Sequence, residues 1–193
     1  MSVKLTGNEK FKYNGKELDL NILEFWQYKF SEIYDRQDEI AEYLVEKALG
    51  LKESQNTEYW TLWDIDYRGI RIEVKETAYF HSWDKPGEPR SKQRSLGIGK
   101  AYSEYMDSTT EKVRNNDLYV FCLITGFERE DANPLNLENW EFYVVPTKTI
   151  NKECGDNKTI SLGRVRSFVT CTKYTELKKT IDETIKKIKK KKI

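Results

Sequence analysis

Between Trp63 and Val74 the chain alternates, with Trp63, Ile65 and Tyr67 before Arg68-Gly69 and Ile70, Ile72 and Val74 after it, each apolar residue separated from the next by a polar one. Period-two alternation marks a strand with one buried face, and Arg68-Gly69 sits where a two-residue turn would reverse the chain, so the stretch predicts a hairpin. The turn length also sets the register. Asp64 falls opposite Glu73 and Asp66 opposite Arg71, while Trp63, Ile65 and Tyr67 fall opposite Val74, Ile72 and Ile70. One face is then apolar, and the other collects Asp64, Asp66, Arg71, Glu73 and Lys75.

Elsewhere the period changes to that of a helix. Asp38 to Gly50 carries an apolar stripe at Ile40, Ala41, Leu44, Val45, Ala48 and Leu49, with Gly50 as C-cap. Glu42 falls at the rim of that stripe and Glu39 nearly opposite its centre. Leu18 to Tyr34 predicts an earlier helical region, bent away near Arg36, with Leu23, Phe25, Trp26, Phe30 and Ile33 as core contacts. Asp117 to Thr125 is apolar on both faces and reads as a central strand, with Glu141 to Val145 as its neighbour. Leu162, Val165, Phe168 and Val169 suggest another short helix. From Thr175 onward Leu177, Ile181, Ile185 and Ile188 recur at helical spacing, predicting a packed helix to Ile188 and a frayed lysine-rich tail over 189–193. Ser82 to Gly99 holds Pro86, Gly87, Pro89, Gly97 and Gly99 among Lys85, Arg90, Lys92 and Arg94, and reads as a flexible basic loop. No repeat or low-complexity linker interrupts the chain, so residues 1–193 read as a single α/β domain.

Composition narrows the function classes. With 193 residues, 34% charged, 38% hydrophobic and 13% aromatic, the chain is globular, and its core must draw on 5 Trp, 12 Tyr and 8 Phe. No apolar run approaches the roughly 18 residues of a membrane span, and the N-terminus lacks a secretory h-region, which makes the cytoplasm the expected compartment. Cys122, Cys154 and Cys171 are widely spaced and odd in number, against a disulfide framework or a four-ligand zinc site. Cys122 reads as core. A single histidine, His81, excludes two-histidine RNA cleavage, multi-histidine phosphohydrolase centres and C2H2 zinc fingers. Carboxylate chemistry remains.

The polar hairpin face offers such chemistry. Carboxylate oxygens on adjacent strands suit a hard divalent cation such as magnesium, and Lys75 points the same way as Glu73. Beside that cation an ammonium can orient or help deprotonate a water and neutralise charge building on a phosphate. Equally, an outward face of Asp, Arg, Glu and Lys is ordinary on a half-exposed sheet, where each cross-strand ion pair contributes roughly 0.2 to 1 kcal/mol. On spacing alone the ion-paired surface face is the favoured reading.

Asp64, a glycine-turned hairpin and then Glu73-Val74-Lys75 resemble the signature of the PD-(D/E)XK, or restriction-endonuclease-like, nuclease superfamily. AEYLVEKALG, IEVKETAYFHSW, RNNDLYVF and WEFYVVPTK, taken in order, extend the resemblance to a small bacterial and phage-associated branch. It implies a mixed sheet of four or five strands, opened by the hairpin and flanked by helices. It also implies a magnesium-dependent nuclease, with manganese able to substitute. In that scheme Asp64, Glu73 and the Val74 backbone carbonyl hold the metal, Lys75 positions the attacking water, and Glu42 assists through a water or second ion. No proline precedes Asp64, and His81 stands where related nucleases often carry glutamine, as a supporting residue.

Arg114 and Asp117, at the mouth of the central strand, are further supporting candidates, with a local ion pair or turn cap as the plainer role. Nucleic acid, DNA ahead of RNA, is the expected partner. Arg68, Arg71, Lys85, Arg90, Lys92 and Arg94 are its candidate contacts, and a homodimer or a restriction- or phage-related protein is a further expected association. The tail from Thr175 has a formal excess of five positive charges, although the whole chain is only +1 with a pI near 7.6. The competing reading is a noncatalytic nucleic-acid-binding or assembly module that keeps the nuclease fold.

Overall fold

The N-terminal segment departs furthest from expectation. Lys10–Tyr13 (β1) and Lys16–Asn21 (β2) pair antiparallel, and Ile22–Phe30 (α1) follows directly. Leu18 to Leu20, expected in the helix, are therefore strand. The cause is Asn14-Gly15, both at positive φ (49° and 75°), a pair that matches the twist of a tight hairpin. Asn21 then starts the helix through a capping box: its side chain accepts from the Glu24 amide at 2.9 Å, and the Glu24 carboxylate accepts from the Asn21 amide at 3.2 Å. No residue of α1 is buried, and Tyr28 stands 82% exposed, so these aromatics do not form core as expected.

The computed structural model describes residues 5–52, 62–85, 91–102 and 111–190. It divides into two compact units, Met1–Arg36 and Gln37–Ile193. A short 3-10 helix, Ile33–Arg36, closes the first.

The second unit opens with Gln37–Leu49 (α2), which buries Ala41, Leu44, Val45 and Leu49 on the predicted stripe. Gly50, at φ 78°, ends it. The Gly50 amide donates to the Lys47 carbonyl and the Leu51 amide to the Glu46 carbonyl, the paired bonds of a left-handed C-cap.

Ile65–Tyr67 (β3) and Ile70–Ala78 (β4) form the expected hairpin in the expected register, Ile65 opposite Ile72, Asp66 opposite Arg71 and Tyr67 opposite Ile70. Arg68 and Gly69 both take positive φ (55° and 70°). Glycine does so freely; Arg68 does so at some strain, next to its Tyr67 cation–π contact at 4.9 Å.

Ser95–Gly97 (β5), Leu118–Ile124 (β6) and Trp140–Pro146 (β7) come next. The main sheet has the order β3-β4-β6-β7, with β4 and β6 parallel and the outer pairs antiparallel. This is a mixed four-stranded α/β sheet flanked by helices. All seven residues of β6 are buried, as a strand covered on both faces requires.

Thr147–Cys154 (α3), Thr159–Ser161 (β8), Leu162–Phe168 (α4) and Tyr174–Lys190 (α5) complete the chain. On one side of the sheet, Tyr119, Phe121, Tyr143 and Val145 pack with Ile150 of α3, Leu162 and Val165 of α4, Leu96 and Ile160. The other side packs against α2 and α5, whose Leu177, Ile181 and Ile185 are buried. The segment expected as a basic loop contains a short strand. Residues 86–90 lie outside the described residues, but β5 pairs antiparallel with β8 and buries Leu96, with Ile98 buried just beyond. Helix α5 continues through Lys190; residues 191–193 of the lysine-rich tail lie outside the described residues. Cys122 is buried in β6 and all three cysteines are free. Among the described residues no helix is long and apolar enough to cross a membrane.

One residue of β4 conflicts with its surroundings. Glu76 shares the apolar side with Ile72 and Val74, and its Oε1 is buried with no hydrogen-bond partner. Burial first, and the Asp38 carboxylate second, push its pKa up from 4.5 to about 8. The folded state thus holds a proton that the unfolded chain releases. Glu76's contribution to stability is complete below pH 4.5 and is lost as pH rises through about 8. Glu76→Gln should therefore flatten this dependence and stabilise the protein near pH 8 by up to about 4 kcal/mol. Urea unfolding of both proteins at pH 5 and pH 8 checks this; identical pH slopes would refute it.

Candidate active site

Asp64 lies one residue before β3, in the bend over residues 62–64, and its amide donates at 3.0 Å to the carbonyl of Ile72, the residue opposite Ile65, so the ladder ends there instead of continuing to the expected Asp64–Glu73 pair. Its Oδ2 accepts the Val74 amide hydrogen at 2.6 Å. On the return strand Glu73 and Lys75 share a face, with Lys75 Nζ 2.5 Å from Glu73 Oε1. Glu42 is half-buried on α2, near enough for its charge to act on Lys75. Three predicted residues, Asp64, Glu73 and Lys75, thus meet at the open end of the β3–β4 pair, within the electrostatic reach of the fourth.

Burial holds both carboxyls above their ordinary pKa. For Asp64, Lys75 and the Val74 amide oppose that shift; for Glu73, Lys75 opposes it and Asp64 adds to it. Burial pulls the Lys75 ammonium down, but Glu73, Asp64 and Glu42 outweigh it and its pKa is raised. Lys75 is therefore a cation at neutral pH, suited to donating hydrogen bonds and stabilising negative charge rather than to removing a proton.

Two desolvated carboxylates that raise each other's energy are relieved by a shared cation, and both are hard oxygen donors. Among the described residues no group of three or more His, Cys, Asp and Glu is placed to hold a metal ion. Two carboxylates and a backbone carbonyl still match the way magnesium binds in phosphoryl-transfer sites, where water and substrate oxygens complete the octahedron. The donor set fits.

The remaining candidates separate clearly. The His81 amide donates to Asp84 Oδ2 at 2.8 Å and the ring stacks on Trp83 at 4.6 Å, while burial and then Arg94 pull its pKa down. At ~3.3 Å per strand residue, Ala78 alone lies about 10 Å past Lys75, and His81 follows it. Asp117 makes the local ion pair expected of it: its Oδ2 accepts from Arg71 Nε at 3.1 Å and from the Arg71 amide at 3.2 Å.

Among the described residues Arg114 has no carboxylate hydrogen-bond or ion-pair partner. Buried, it donates to the carbonyls of Ile98, Gly155 and Asn157 and to Asn151 Oδ1, at 2.7 to 3.1 Å. Arg94 is likewise committed to backbone, donating to the Ala78 and Tyr79 carbonyls at 2.5 and 2.9 Å and so tying down the end of β4. Arg68 pairs with Asp182 at 3.1 Å, and Lys92 lies over the Phe127 ring at 5.6 Å. Lys85 is exposed, and Arg90 lies outside the described residues.

Two features escaped the sequence reading. Trp63 leaves the ladder in a bend over residues 62–64, and its ring meets the Arg71 guanidinium at 5.3 Å instead of continuing the apolar face. Tyr119 is the register partner of Glu73 across the parallel pair, and burial, aided by Glu73, pushes its phenol up to about 12. Its place in a strand apolar on both faces marked it only as core. No protein-family model, no curated protein and no solved structure matches the chain.

Proposed function

We propose that this protein is a magnesium-dependent nuclease with a restriction-endonuclease-like core, hydrolysing phosphodiester bonds in nucleic acid, with DNA ahead of RNA. The observation that carries this reading is the convergence of Asp64, just before β3 and bonded to the Val74 amide, with Glu73 on β4, whose carboxylate Lys75 contacts.

Asp64 and Glu73, with the Val74 carbonyl, would hold the magnesium ion, and manganese would substitute. Bound there, the ion supplies Lewis acidity toward a phosphoryl oxygen and lowers the pKa of water. The chain's own residues do the rest. The Val74 amide fixes one Asp64 oxygen and leaves the other free for the ion. Lys75, held as an ammonium, orients the attacking water and offsets charge that builds on the phosphate. Glu42 assists from the helix through a water or a second ion.

The test is cleavage of supercoiled, linear, single-stranded and branched DNA, and of RNA, in magnesium or manganese. Magnesium titration by calorimetry accompanies it. Cleavage is expected in the wild-type protein, and Asp64→Asn should lose both activity and at least tenfold in cation affinity. Full activity and undiminished affinity in Asp64→Asn would remove the site assignment.

A noncatalytic assembly module is the second reading, favoured by the first unit, whose Phe25 and Phe30 are each 48% exposed. It predicts binding without turnover, and concentration-dependent light scattering would reveal self-association.

A further inference from the structure

A cleft of about 530 Å³ opens where the N-terminal ends of β4 and β6 meet the C-terminal end of β7, and its lining includes Arg71, two residues before Glu73, but none of Asp64, Glu73 and Lys75. Arg71 and Asp117 form one wall, Lys148 and Lys152 of α3 another, and Lys187 of α5 a third. Arg114 also lines it, so five cations face two carboxylates, Asp117 and Glu153.

These cations differ in what already engages them. Arg71 is neutralised by Asp117, Lys152 lies 3.2 Å from Glu153, and Arg114 is saturated by backbone carbonyls and Asn151. Lys148 and Lys187 are exposed and have no hydrogen-bond or ion-pair partner among the described residues. The two come from helices on opposite sides of the sheet, yet they line one cleft. Two unpaired ammoniums on its walls leave the cleft with a positive potential, which favours an anion.

The position of the cleft says which anion fits. Arg71 is two residues before Glu73 on the same face of β4, so at ~3.3 Å per residue the cleft wall begins about 7 Å from the candidate metal ligands. That is about two nucleotide rises along one strand of a duplex.

We propose that this cleft binds the sugar–phosphate backbone of a polynucleotide, with Lys148 and Lys187 contacting phosphates beside the bond presented to Asp64, Glu73 and Lys75. The choice of polynucleotide rests on the nuclease reading of the neighbouring site. The cleft gives the chain a local nucleic-acid surface that its near-neutral overall charge conceals, and places the contacts on α3 and α5 rather than on the Lys85–Arg94 segment. Lys187 also gives the lysine-rich helix a specific task.

Fluorescence anisotropy with labelled duplexes of unrelated sequence, in calcium without magnesium and over 50–300 mM KCl, tests the proposal. The double variant Lys148→Gln/Lys187→Gln should weaken every duplex by roughly tenfold or more, and reduce the slope of log affinity against log salt by about 1.8. Both side chains are exposed, so thermal melting should be unchanged. Competition by inorganic phosphate or a mononucleotide as effective as that by an oligonucleotide would assign the cleft to small phosphate compounds and overturn the proposal. Unchanged affinity and slope in the double variant would overturn it too, even if the protein cuts DNA. A wild-type protein that binds with the expected slope but never cuts leaves the cleft in place and removes only the nuclease reading.

Discussion

Lys75→Ala is expected to lower the cleavage rate by roughly 10²- to 10⁴-fold while leaving KM within a few-fold of wild type. Lys75 is placed for this effect by its strand. Alternation puts it on the face of Glu73, and its ammonium is retained at neutral pH because Glu73, Asp64 and Glu42 outweigh the cost of its burial. A group that stabilises charge only as it develops acts on the transition state more than on the bound substrate, so kcat should carry the loss. The side chain remains 35% exposed, and its removal should not unfold the protein. Lys75→Arg should restore only part of the rate, because a planar guanidinium cannot take the position of a compact ammonium. Single-turnover kinetics with saturating magnesium measure the effect. A Lys75→Ala protein that folds normally and cuts at the wild-type rate would remove Lys75 from the chemistry.

Arg114→Ala should produce the largest loss of stability, roughly 3–4 kcal/mol. Its guanidinium is buried and satisfies four acceptors from three separate stretches of chain: Ile98 beyond β5, Asn151 in α3, and Gly155 and Asn157 before β8. Alanine leaves those acceptors without their donor, and the cost of stranded polar groups exceeds the net worth of the bonds themselves. Arg114→Lys should recover little, since three donors on one nitrogen cannot span the positions a guanidinium reaches. Urea unfolding with unchanged m-value checks both variants, and a loss below about 1 kcal/mol would show that water replaces the guanidinium readily. The residue lines the cleft beside the candidate site, but its role is to hold the cleft's walls together.

The first unit shows the limits of reading apolar content without turn chemistry. Leu23, Trp26 and Phe30 recur at helical spacing, yet no residue of α1 is buried, and the hairpin before it was announced by Asn14-Gly15 rather than by hydrophobic period. A helix spacing states that a face exists; whether anything covers it is a property of the rest of the chain.

In the second unit the local patterns were sufficient wherever an element is regular and its face unambiguous. The hairpin register, the Glu42 rim position, the fully apolar β6 and the α5 stripe follow from periods of 2 and 3.6 and from two-residue turns, which are determined within a few neighbouring residues. The meeting of Asp64, Glu73 and Lys75 follows from the same hairpin and was legible for that reason. What only the tertiary structure decided are the pairings between distant segments. The three-residue β5 and β8 are too short to declare themselves and exist through each other. Arg94 and Arg114 are held by backbone carbonyls, which carry no side-chain signature, so both were open to being read as binding residues. The cleft lined by Lys148 and Lys187 exists because α3 begins and α5 finishes, on opposite sides of the sheet, at the same end of its strands. Local sequence determines which way a side chain points along its own element, whereas its neighbours across the fold depend on how the whole chain buries its apolar faces.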